Sequence, residues 1–145
     1  LLWILYAGFC GLGIGLLAGA AQLAGYVLRP AWPAHVIGVA GFSVLILGMV
    51  TRTALGHLGR PLQTDRSMVL SYALVILAAL LRLAALLPTS ATLGLLHASA
   101  GAWALGFGLD LWRFFPWVIR PRAGAVAKPA APMMKIVPAG PRRAP

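Results

Sequence analysis

Acidic side chains and thiols are nearly missing from these 145 residues, which hold two aspartates, no glutamate and one cysteine. A lone Cys10 excludes an internal disulfide and a thiolate cluster; inside an apolar run it reads as a small packed thiol. Charge of either sign is scarce, at 10% of residues against 61% hydrophobic, with a mean hydropathy of +0.90. A soluble domain of this length keeps too much surface for its volume to bury so much apolar area. No run alternates polar with apolar residues, which excludes the strands of a membrane barrel. There is no glycine-rich phosphate loop, no Walker-type motif and no repeat of fixed period. The opening "LLWILYAGF" has no initiator Met, basic n-region or cleavage site, so it is not a secretory signal. It reads as a fragment that begins inside, or at the edge of, a helix.

What the chain does have is four long apolar runs, roughly 1–28, 34–55, 67–87 and 93–119. Each reaches the ~20 residues that a helix needs to cross the hydrocarbon core. The fold class is therefore all-α, a polytopic transmembrane bundle of four spans over residues 1–121. The net charge of +10 is unevenly placed. Arg52, Arg60 and Arg66 follow the second span, and Arg113, Arg120, Arg122, Lys128, Lys135, Arg142 and Arg143 close the chain. The loop "PTSAT" has no charge and the first loop only Arg29. By the positive-inside rule the second loop and both ends are cytoplasmic, and the charge is not a nucleic-acid footprint. Residues 122–145, basic and rich in Pro and Ala, read as a disordered cytoplasmic tail.

Within the spans, Gly8, Gly11, Gly15 and Gly19 share one face of the first, suited to close helix packing, and Gln22 reads as a bond to a neighbouring helix. In the second, His35, Gly38, Gly41, Leu45, Gly48 and Arg52 form a stripe at spacings of three and four. Such a stripe serves either helix packing or a flat wall for a planar macrocycle. His57 lies 22 positions beyond His35, hence ~33 Å along a straight helix and within about 40° of the same direction. The two cannot ligate one metal. His35 and His97 both fall near the outer surface, where they make either a pair of axial ligands for a b-type haem or plain interfacial residues. Arg82 lies about a turn and a half inside the third span, free to snorkel outward or to meet a haem propionate. Asp110 and Arg113 are three apart and are expected to pair. Trp112, Phe114, Phe115 and Trp117 read as an interfacial belt.

The segment "HVIGVAGFSVLILGMVTRTALGHLGRPL", His35 to Leu62, resembles the signature of the NnrS family. Thr51, Arg52, Leu55, Gly56, His57, Gly59 and Arg60 match its "TRxxLGHTGR"-like ending, and "AWALGF" with "RFFPWVIRPRAG" is similar to its terminal helix. The resemblance runs to about Gly124. It implies a bacterial inner-membrane protein containing haem b and copper, linked to nitric oxide, denitrification and protection from nitrosative stress; whether it turns nitric oxide over is left open. Its partners would be the lipid bilayer, haem, nitric oxide or iron-nitrosyl species, and the further N-terminal spans that family members carry. On this resemblance His35 and His57 are candidate metal ligands, and His35, His57, His97, Arg52, Arg60 and Arg82 candidate cofactor-binding residues. Copper suits the His57 imidazole, whereas Arg52, Arg60 and Arg66 around it suit a propionate and hence a second haem. A haem-carrying electron-transfer subunit, or a secondary transporter with Arg82 and Asp110 along its pathway, are the rival functions.

Overall fold

A computed structural model describes residues 1–26 and 29–119; the tail and the end of the first predicted span lie outside these residues. The described chain is helical and contains no strand. Helix α1 spans Leu2–Leu23. A second rod, Ala31–His57, is one continuous span built of α2 (Ala31–His35), a π-helical segment (Val36–Ser43) and α3 (Val44–His57). Helices α4 (Arg66–Ala84) and α5 (Thr92–Val118) complete the bundle. All four rods are long and apolar enough to cross a membrane.

The boundaries follow local chemistry. Helix α1 stops at Leu23 because Gly25 takes a positive φ of 84°. The N–H of Tyr26 then bonds Ala21 O and that of Gly25 bonds Gln22 O, closing a Schellman turn. The second rod starts at Ala31, three residues before the expected Ala34, because Pro30 and Pro33 sit where a first-turn N–H would lack a partner anyway. It ends in the same way as α1. Gly59 has φ 64°, Arg60 N–H bonds Leu55 O and Gly59 N–H bonds Gly56 O. Asp65 caps α4, accepting from the Met68 N–H at 2.9 Å and from the Ser67 hydroxyl at 2.6 Å.

Small residues set the packing. A Cβ added at Gly11 would lie 2.4 Å from Ala40 O, at Gly15 2.5 Å from Ile37 Cγ1, and at Gly8 2.7 Å from Leu45 Cγ. The expected glycine face of α1 is thus its contact with the second rod, though Gly19 meets only Pro33 Cβ at 3.8 Å. No hydrogen bond from Gln22 is found among the described residues, and Cys10 is exposed instead of packed, lining a groove between α1 and α4. Helices α4 and α5 form a close antiparallel pair. There, Gly106 meets Val75 and Ser71 O, and the Ser99 hydroxyl donates to Ala78 O at 2.7 Å.

The tightest core lies at the basic end of the bundle, where Ile4, Leu47, Leu55, Met68, Tyr72, Val75 and Phe114 meet. Two expectations are corrected here. Arg113 does not pair with Asp110; it bonds Asp65 at 2.7 Å and lies over the Trp117 ring, which Arg60 also covers. The antiparallel α4–α5 pair brings the α4 cap opposite the end of α5, whereas Asp110 turns into the core. Phe114 is likewise buried and Trp117 stacks edge-on against it, so only Trp112 and Phe115 of the expected belt remain outward.

Partial burial works to raise the Asp65 carboxyl, but bonds from Ser67, Met68 N–H and Arg113, with the Arg113 charge, outweigh it. They hold the group at about 2, against an ordinary 3.8. A depressed carboxylate stabilises the fold above its unfolded value and loses that contribution as pH falls through its folded one. Thermal melting of wild type and D65N should therefore differ fully well above pH 4, with the difference shrinking as pH falls and gone only below about pH 2. Packing gives a second expectation. G11A should cost about 1–3 kcal/mol, because its methyl meets backbone that cannot yield, while G13A, with open space around it, should not lower Tm.

Candidate functional site

The sequence stripe from His35 to Arg52 divides in the folded chain. Gly41 packs on Leu12, Gly48 on Ile4 and Leu5, and Leu45 on Gly8, so α1 occupies that wall and leaves no flat face there for a macrocycle. Gly38 has open space beside it. The division arises in the π segment. Its wider turn departs from 100° per residue, so the direction of His57 cannot be carried over from His35 by α-helical steps. Long π segments are rare and concentrate at functional sites. This one is tied to α5 through its last residue: the Trp103 indole N–H donates to Ser43 Oγ at 3.1 Å, and the Ser43 hydroxyl donates to Gly38 O at 3.1 Å.

His35 stands immediately before the π segment, half-buried, and faces α4. Arg82 Nε donates to its Nδ1 at 3.5 Å, a long and weak contact. This brings together two sequence-predicted residues 47 positions apart. It also has a chemical consequence. A neutral imidazole that accepts at Nδ1 carries its proton on Nε2, so neither nitrogen is open to a metal until Arg82 moves away. The residues on either side, Trp32 and Val36, line an apolar groove of about 540 Å³ between α1 and α4, together with Ala40 and Ala79.

At the opposite end of the same rod, His57 is exposed. It shares a shallow groove of about 480 Å³ with Met49, Arg52, Thr53, Gly56 and Leu62. The Gly59 turn ends the helix there and Gly56 adds no side chain, which leaves the imidazole open. Arg60 is drawn off to Trp117, and Arg66 is exposed on α4. A histidine and an arginine thus fall together at each end of one span, in contact for His35 and Arg82 and lining one groove without contact for His57 and Arg52.

His97 joins neither pair. It is exposed on α5, about 160° around the helix from Ser99, whose hydroxyl faces α4. The rotation of α5 is fixed by Gly106 against Ser71 and Val75, and it turns His97 away from the other rods. Among the described residues, no three His, Cys, Asp or Glu side chains gather as a metal site. Trp103 and Ser43, which sequence reasoning passed over, carried no sequence signal, because their pairing spans 60 positions.

The His35 contact is open to direct test. In cofactor-free protein with ¹⁵N-labelled histidine, NMR should find His35 protonated on Nε2, and R82Q should release that preference. Protonation on Nδ1 in the wild type would contradict the contact.

No curated protein and no solved structure matches this chain. A family model, described as NnrS protein, matches residues 1–122, which is most of the sequence and takes in both histidine–arginine pairs. On that match, the chain is a membrane protein of the NnrS family.

Proposed function

We propose that this chain is the haem-binding part of an integral protein of the bacterial cytoplasmic membrane that responds to nitric oxide. What carries the reading is the contact of His35 with Arg82 and the groove that His57 shares with Arg52, on a chain of this family. An imidazole to ligate iron beside a guanidinium to bond a propionate is the donor set a b-type haem needs. His35 would hold one such group, with Arg82 leaving Nδ1 to meet a propionate. The apolar groove lined by Trp32 and Val36 offers an adjoining surface. His57 with Arg52 would hold a second. Bound haem supplies the iron at which nitric oxide or an iron-nitrosyl species is met.

Copper fits the described residues less well. A single imidazole is not a copper site, and a guanidinium beside it repels a cation. Any copper at His57 needs ligands from further spans. His97 faces outward, so in this reading it serves a neighbouring span and is not the second ligand to the His35 iron.

The reduced-minus-oxidised spectrum of the full-length protein tests the assignment. H35A and H57A should each remove about half of the haem, and H97A should remove less. Loss of copper with full haem in H57A would instead assign that end to copper. Unchanged haem content and Soret band in H35A would contradict the proposal. Haem that quinol reduces but nitric oxide leaves unaltered would make the protein an electron-transfer subunit.

A further inference from the structure

A second group of buried polar side chains lies apart from both histidines, among α3, α4 and α5 in the tightest part of the core. Asp110 is 5% exposed, and Thr51 and Tyr72 are fully buried. Thr51 has one hydroxyl hydrogen but two oxygens within reach, Leu47 O at 2.7 Å and Asp110 Oδ1 at 3.2 Å. A hydroxyl donates only once, and the short bond back to Leu47 O uses that hydrogen. The contact with Asp110 must then take its hydrogen from the carboxyl.

The surroundings of Asp110 agree. Among the described residues no cation pairs with it, since Arg113, one turn along α5, is held by Asp65 and Trp117. From α3 it is faced by Thr51, while the neighbouring Arg52 is exposed on another side. From α4 comes Tyr72, which also lies within electrostatic reach of Asp65 at the cap. An unpaired carboxylate there would be a lone charge cut off from water, which is costly. The Tyr72 hydroxyl sits beside Thr51, within electrostatic reach of Asp110, buried and without a hydrogen-bond partner. A buried hydroxyl left unbonded calls for a use.

We propose that Asp110, Thr51 and Tyr72 form a proton-binding site within the membrane bundle, occupied when Asp110 is the neutral acid. In the occupied state the Asp110 O–H donates to Thr51 Oγ1 and the Thr51 hydroxyl donates to Leu47 O. When the proton leaves for water, the carboxylate accepts from the Tyr72 hydroxyl and from Thr51, which turns away from Leu47 O. The idle Tyr72 donor is what allows both states to be bonded. One proton is exchanged and no electrons move. Release also places a negative charge three residues from Arg113, in competition with Asp65 for the same guanidinium.

Infrared spectroscopy of the purified full-length protein in lipid tests this site without reference to haem. At neutral pH the wild-type-minus-D110N difference should contain the C=O stretch of an un-ionised carboxylic acid, moving to lower frequency in D₂O. Should D110N fail to fold, D110E keeps a carboxylic acid at this position and should move the same band to a different frequency. Y72F deprives the carboxylate of a donor, so it should shift loss of the band to higher pH. Absence of the band at neutral pH, or a Y72F titration equal to or below that of wild type, would overturn the proposal.

Discussion

Backbone-to-backbone approach between α1 and the π segment is the contact on which the remaining arrangement depends. Gly11 lies against Ala40 O, and Gly41 lies against the backbone of Leu12. In lipid there is no hydrophobic drive to bring helices together, so van der Waals fit between small residues has to do it. Because α1 takes this face of the second rod, Gly41, Leu45 and Gly48 are covered and His35 is left facing α4. The histidine's neighbour is then decided by packing at a different face from the one it was expected to share.

The polar groups fall into classes with different physical roles. At the basic end, Asp65, Arg113, Trp117 and Arg60 bind one loop to the end of α5 through charge and ring faces, partly in contact with water. Deeper, Thr51, Tyr72 and Asp110 are cut off from solvent and must satisfy one another. His35 and His57 belong to neither class, being incompletely buried and each beside an arginine that no carboxylate neutralises among the described residues. Positive charge left available beside an imidazole is what makes these two ends candidates for an anionic cofactor.

The sequence made much of this legible. Hydropathy alone located four spans, because lipid demands long unbroken apolar helices. The glycine face of α1 was readable from its spacing. Rotation about helix axes was not readable. The π segment breaks the 100° rule on which the His35 stripe was drawn, and nothing in "VIGVAGFS" announces it. The outward turn of His97 is set by Gly106 against Ser71, a contact between distant positions. Arg113 bypassed its neighbour Asp110 for Asp65, 48 positions away, because a tertiary pairing outside the core competes well with an i,i+3 pair of which one member is buried.

Separation of the two histidine ends governs how many cofactors the second rod can serve. Pulsed electron paramagnetic resonance on the reconstituted full-length protein reads it directly, as the distance between two paramagnetic centres. With one centre at each end of Ala31–His57, the distance should be roughly 30 Å. A single centre, or two in direct magnetic contact, would contradict separate sites at His35 and His57.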